Sequence, residues 1–161
     1  MYYSGLIFSD IANGKGIRVT LYVSGCRHHC KGCFNPETWC FTNGKEFNNS
    51  VIESIYKHMD DYHDGLTLLG GDPLEPENIK ELLPFIKDFK KKFPDKNIWV
   101  YSGYLYENID SEILEYIDVL IDGEFKENLK DYRLKFRGSS NQRIIDVKKS
   151  IELNQVIELQ L

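Results

Sequence analysis

The chain has 161 residues, with Lys+Arg 20 against Asp+Glu 25 and a formal net charge of −5. That length suits one ordinary domain with a real core, and the acidic balance argues against nucleic-acid binding, which needs a basic face. With no long apolar run and no secretory leader pattern, no membrane association is expected and the sequence reads as a soluble, cytoplasmic protein. Its four cysteines then point to metal binding or catalysis more than to disulfides.

Met1–Phe8 is apolar and reads as a short strand or a flap, and the turn-rich IANGKG follows at 11–16. Ile17–Ser24, rich in β-branched and aromatic residues, predicts a buried strand ended by Gly25. FTNGKEF at 41–47 carries an Asn-Gly turn and suggests a small hairpin. A helix capped by Asn49 or Ser50 is expected through about Asp60, with Val51, Ile52, Ile55 and Met59 at helical spacing. Gly65–Leu69 reads as the second strand, Glu75–Lys92 as a helix with a kink at Pro84, and Asn97–Tyr101 as the third strand. A short helix at Ser111–Tyr116, a fourth strand at Ile117–Ile121 and a fifth at Arg143–Val147 follow, and VIELQL reads as a last strand or a docked end.

Strands alternating with helices imply βαβ units, an α/β class and a mainly parallel sheet. About five strands fall short of an eight-stranded barrel, so a single domain over 1–161 forming a partial, open βα barrel is expected. Gly25, Gly70–Asp72, Ser102–Gly103 and Asp122–Gly123 end successive strands and should share one rim. In such folds the chemistry sits at that rim.

The first of these strand ends runs straight into SGCRHHCKGCFN, which places Cys26, Cys30 and Cys33 within eight residues as C-x3-C-x2-C. Thiolates select iron–sulfur clusters, zinc or copper(I). A [4Fe–4S] cluster normally takes four cysteines, so three leave one metal position open, which marks a reactive site rather than a staple. Two bland alternatives compete. One is a closed zinc site that adds Cys40, although zinc ribbons pair two short knuckles across a longer loop. The other is a redox C-x2-C pair, which leaves Cys26 without a role. Cys40 reads as a packed or partly exposed thiol, and His28 and His29 as loop residues without a ligand role. Arg27 and Lys31 either offset cluster charge or are simply solvated.

The three-cysteine loop after the first strand, paired with GGDP at Gly70–Pro73, resembles the radical S-adenosylmethionine (SAM) enzymes. Alone, GGDP is also a good turn and helix start. GCFNPETW at 32–39, VYSGY at 100–104, DVLIDGEF at 118–125 and FRGSSNQRIIDV at 136–147 narrow the resemblance to the activating proteins of anaerobic ribonucleoside-triphosphate reductase. The longer activators of pyruvate formate-lyase are the nearest competitor, and from a different class a non-catalytic iron–sulfur electron carrier competes.

The resemblance implies a [4Fe–4S] cluster on Cys26, Cys30 and Cys33, with SAM chelating the fourth iron. It implies SAM contacts from Gly70, Gly71 and Asp72, and an adenosine contact from Gly32-Cys33-Phe34. Gly32 stands where the superfamily commonly has an aromatic residue, and Asp72 where it commonly has Glu. Ser102 and Asp122 read either as further SAM contacts or as strand-end caps. RGSSNQR at 137–143 reads as a helix-capping loop or as a surface for the partner or SAM. The implied reaction takes an electron from a flavodoxin or ferredoxin, splits SAM to a 5′-deoxyadenosyl radical, and leaves a glycyl radical on the C-terminal glycine loop of the reductase. No side chain need act as a general acid or base.

Overall fold

The computed structural model describes residues 1–161. The β-branched run after the first turn forms the strand on which the molecule is organised, because its alternating side chains serve two different faces. This is β2 (Arg18–Val23), preceded by β1 (Tyr2–Asp10). Further along come β3 (Lys45–Glu46), α1 (Asn49–His58), β4 (Gly65–Gly70), α2 (Pro76–Lys92) and β5 (Asn97–Tyr101). The chain closes with α3 (Ser111–Leu114), β6 (Val119–Asp122), β7 (Arg143–Asp146) and α4 (Val147–Leu153). All seven strands form one sheet in the order β3-β1-β2-β4-β5-β6-β7.

The centre of the sheet, β2-β4-β5-β6, is parallel, while β1, β3 and β7 run antiparallel to their neighbours. The expected five mainly parallel strands therefore become a mixed, open sheet of seven. The parallel strands are joined by α-helical crossovers, and the antiparallel edge strands by connections that hold no α-helix. The Asn43-Gly44 turn does not make a local hairpin. Gly44 takes φ +85, and Lys45–Glu46 pair instead with Tyr3 and Tyr2 of β1.

Smaller departures have local causes. The cap of α1 is Asn48, whose side chain accepts the Val51 N–H at 3.2 Å, so the helix begins one residue earlier than the capping signal suggested. Pro84 lies within α2 without ending it. Ile117 is core rather than strand, and β6 starts at Val119. The helix α4, unforeseen in the sequence, is started by Asp146, whose carboxylate accepts the Lys149 N–H, and is stopped by Asn154 in the left-handed region. The tail docks on β7 through the Leu159 N–H to Ile144 O bond of 2.7 Å.

On one face of the sheet, Val19, Leu21, Val23, Leu66, Leu68, Ile98, Val100 and Leu120 form a continuous core with side chains from all four helices. Burying each such side chain contributes about 1.5–3 kcal/mol, which makes this face the anchor of the fold. The other face carries the alternate residues, with Trp99, Val119, Ile121 and Ile144 clustered under Phe136. At its lower end the fully buried Arg18 donates to Thr67 Oγ1 (2.6 Å), Leu66 O (3.1 Å), Lys15 O (2.9 Å) and Asn97 Oδ1 (2.6 Å), and lies over the Trp99 ring. Burial lowers its pKa to about 10, so it stays charged at neutral pH while closing that end of the sheet. The upper end stays open. No helix is long and apolar enough to cross a membrane.

Candidate functional site

A cavity of about 740 Å³ occupies the second face of the sheet at the carboxyl ends of its parallel strands. That volume falls within the usual range for ligand sites. The rim expected from the sequence forms in part, without Gly25 and Asp122. Gly70 to Asp72, Ser102-Gly103 and Gly123 all line it, and the cysteine loop forms one side. Cys26, Cys30 and Cys33 all face the cavity, whereas Cys40 is exposed outside it with its sulfur beside Thr42 Oγ1 at 3.5 Å. A four-thiolate site including Cys40 does not form.

Backbone hydrogen bonds shape the loop. The N–H groups of Gly25 and Cys26 donate to the carbonyls of Thr38 and Trp39, 2.7 and 3.1 Å away. Gly25 (φ +106) and Gly32 (φ +77) take the positive φ that the reversals require. His29 adopts φ +48 and stacks its ring on Trp39 at 4.4 Å.

The GGDP turn docks on this loop, with the Asp72 N–H donating to Gly25 O at 2.8 Å. A Cβ on Gly71 would stand 2.6 Å from Gly25 O and 2.8 Å from Thr38 O, both backbone atoms. Gly71→Ala must therefore push the two segments apart. It is expected to cost about 1–3 kcal/mol, read as a lowered urea midpoint at unchanged slope.

Asp72 is 1 % exposed and heavily engaged. Its carboxylate accepts from Ser102 Oγ at 2.8 Å, Gly103 N at 2.9 Å and Leu74 N at 2.9 Å, and Oδ2 lies 2.8 Å from His28 Nε2. The other nitrogen of His28 bonds Glu124 at 2.8 Å. These two carboxylates, Asp72 first, raise the His28 pKa to about 9. His28, expected only as a loop residue, therefore lines the site and ties the cysteine loop to two strand ends.

A second buried carboxylate, Glu75, takes the Arg27 backbone N–H at 2.6 Å and the Tyr104 hydroxyl. The Arg27 guanidinium pairs with Glu75 and Glu77, away from the cavity. Asn78 donates to Ser24 O and Asp72 O. Sequence reading missed Glu75, Asn78 and Tyr104. The available signal was a Glu three residues beyond Asp72, opening a helix next to the cysteine loop.

Asp122 is placed differently. Its buried carboxylate binds Arg143 Nε at 3.0 Å and accepts the Tyr106 N–H at 2.8 Å, and it does not line the cavity. Ser102 meets the cavity but spends its hydroxyl on Asp72. Phe34 faces the cavity with its ring 5.0 Å from Phe125. RGSSNQR caps no helix. Gln142 Oε1 accepts the Gly138 and Ser139 N–H groups, and its amide donates to Gly123 O, so the segment braces the strand that closes the cavity.

The donor set fits a three-thiolate cluster. Burial pushes the Cys26 thiol up to about 12, and Cys30 is also raised, so both carry protons in the metal-free chain and lose them only to a metal. Trp39 lines the same cavity and has a buried indole N–H with no acceptor in the protein. Buried donors are nearly always satisfied, and a bound acceptor in the cavity would satisfy this one.

Residues 12–145 match the family model of the 4Fe-4S single cluster domain. The chain is 46% identical over 142 residues to the anaerobic ribonucleoside-triphosphate reductase-activating protein of Haemophilus influenzae, covering 84% of this chain and 92% of that protein. It is 43% identical over 146 residues to the protein of the same name from Enterobacteria phage T4, covering 89% and 93%. Against the Escherichia coli K12 protein of that name it is 40% identical over 139 residues, covering 83% and 90%.

Proposed function

The chain belongs to the family of anaerobic ribonucleoside-triphosphate reductase-activating proteins and to that of the 4Fe-4S single cluster domain, and from that premise we propose how its residues serve the activation. Cys26, Cys30 and Cys33 hold a [4Fe–4S] cluster, SAM completes the site, and the target is a glycine on the C-terminal loop of the anaerobic reductase. The observation that carries this reading is that three of the four thiols, and not Cys40, open into one large cavity beside the GGDP turn. The fold we assign is an open βα barrel of the radical SAM type, with β2-β4-β5-β6 as its parallel wall.

When bound, the cluster and SAM supply one-electron cleavage of the sulfonium, fed by a flavodoxin or ferredoxin and ending in hydrogen-atom removal from the glycine Cα. The chain's own residues orient and enclose. Asp72 offers a carboxylate to the SAM ammonium, and Ser102, Gly103 and Leu74 hold that carboxylate in place. Gly70 and Gly71 keep the wall free of side chains so that the methionine part approaches the backbone. Phe34, beside Gly32 and Cys33, gives the adenine an aromatic face. Asp122 acts at one remove, fixing Arg143 and the Tyr106 turn rather than touching SAM. Placement matters because an error of ~1 Å can cost ~100-fold in rate.

Anaerobic reconstitution tests the reading. About four irons and four sulfides per chain are expected, with a reduced paramagnetic signal that changes on adding SAM. With the reductase, SAM and reductant, a glycyl-type doublet should form on the reductase. A doublet on pyruvate formate-lyase alone would move the substrate, and a colourless protein with one zinc would end the iron–sulfur reading.

A further inference from the structure

Residues 126–137, KENLKDYRLKFR, hold five cations against two acids on a chain whose net charge is −5. Lys126, Lys130, Arg133 and Lys135 are exposed. Arg133 pairs with Asp131 in its own turn at 3.0 Å, and the three lysines form no ion pair. Tyr132 is 84 % exposed, and the Lys130 ammonium stands 4.6 Å above its ring and 5.3 Å above that of Phe34.

This island is built, not loose. Lys130 bridges Ser139 in antiparallel fashion, and the Ser140 N–H donates to Leu129 O at 3.0 Å. The fully buried Ser139 takes the Lys126 N–H at 3.1 Å. Phe136, at φ +60, plants its ring edge-on against Trp99 at 5.3 Å. A non-glycine residue held in that region costs energy that the surrounding contacts must repay, and such strain gathers at functional segments. The polar RGSSNQR run thus finds its role, holding self-repelling cations in one place at the mouth of the cavity, whose wall includes Tyr132, Leu134, Phe136 and Arg137.

We propose that the 126–137 platform docks an acidic segment of the reductase, seating the partner so that its glycine loop faces the cavity. The proposal rests on the reductase being the partner. Exposed cations at a rim act mainly on encounter rate and are screened by salt, while the exposed Tyr132 provides an amphipathic contact of the kind that anchors interfaces.

The test compares wild type, the triple variant K126E/R133E/K135E and Tyr132→Ser, each cluster-loaded, for reductase affinity at about 0.05 M and about 0.3 M salt. Dithionite-driven SAM cleavage without reductase serves as the control. The triple variant is expected to bind the reductase at least about tenfold more weakly at low salt and to lose most of its salt dependence, with SAM cleavage unchanged. Tyr132→Ser should weaken binding about threefold or more at both salts. Wild-type affinity in the triple variant would overturn the proposal. So would a defect confined to flavodoxin-driven turnover, which would assign the surface to the electron donor. A wild-type protein that fails to bind the reductase at either salt would remove the partner reading, and this docking with it.

Discussion

Alanine at Cys26, Cys30 or Cys33 is expected to reduce iron bound after anaerobic reconstitution from about four per chain to well below one and to bring SAM cleavage below detection, while Cys40→Ala keeps both. With one thiolate lost, a second iron has no protein ligand, and the other donors within 4.8 Å of the Cys26 sulfur, His28 and Asp72, are already bonded to each other. His28 is the nearest candidate, but its two nitrogens are committed to Asp72 and Glu124. Cys40 differs because its sulfur points away, although its neighbours matter: Thr38 and Trp39 supply the carbonyls that shape the loop. Its side chain is therefore dispensable while its backbone position is not. The metal-free alanine variants should fold like wild type, since backbone bonds hold the loop, and far-UV circular dichroism checks this. Loss of the cluster in Cys40→Ala would overturn the ligand assignment.

Much of this arrangement was legible in the sequence because it is written in local signals. β-branched runs ending in small residues located β2, β4 and β5 to within a residue or so and put their ends on one rim. The spacing of three cysteines separated Cys40 from the rest. Partnerships between distant segments were not legible. Lys45–Glu46 look like half of a hairpin, yet they pair with the start of β1 because Met1 O takes the Phe47 N–H and fixes that register. β7 reads like another parallel strand, but only a single 3-10 turn at Glu127–Leu129, and no crossover α-helix, separates it from β6, and it returns antiparallel. His28 looked like a loop residue since nothing local reveals that Asp72 and Glu124, 44 and 96 residues away, converge on its ring. Asp122 had the position of a ligand contact, and only the fold shows that Arg143 claims it.

The second large effect is expected at Asp72. Asp72→Asn should weaken SAM binding to the cluster-loaded protein by about 10- to 100-fold, because a charge-assisted bond to a buried carboxylate contributes roughly 1.5–3 kcal/mol and 1.4 kcal/mol is a factor of ten. The cluster itself should load normally, since Asp72 is no part of the thiolate set. Stability should also fall. The carboxylate accepts from Ser102, Gly103 and Leu74 and bonds His28 Nε2, so an amide nitrogen in place of either oxygen would face at least one backbone donor with a donor. Leaving such groups unpaired costs about 1–3 kcal/mol each. Loss of affinity could then follow from a disturbed turn alone, and Asp72→Glu separates the two causes. Glu keeps the charge but adds a methylene to a site that is 1 % exposed, an overpacking cost of about 1–3 kcal/mol. If the carboxylate meets the SAM ammonium, the Glu variant recovers much of the affinity that Asn loses, even at comparable stability, and isothermal titration reads the difference. If Asn binds SAM as wild type does and Glu does not, Asp72 only shapes the turn, and the ammonium is held by another group.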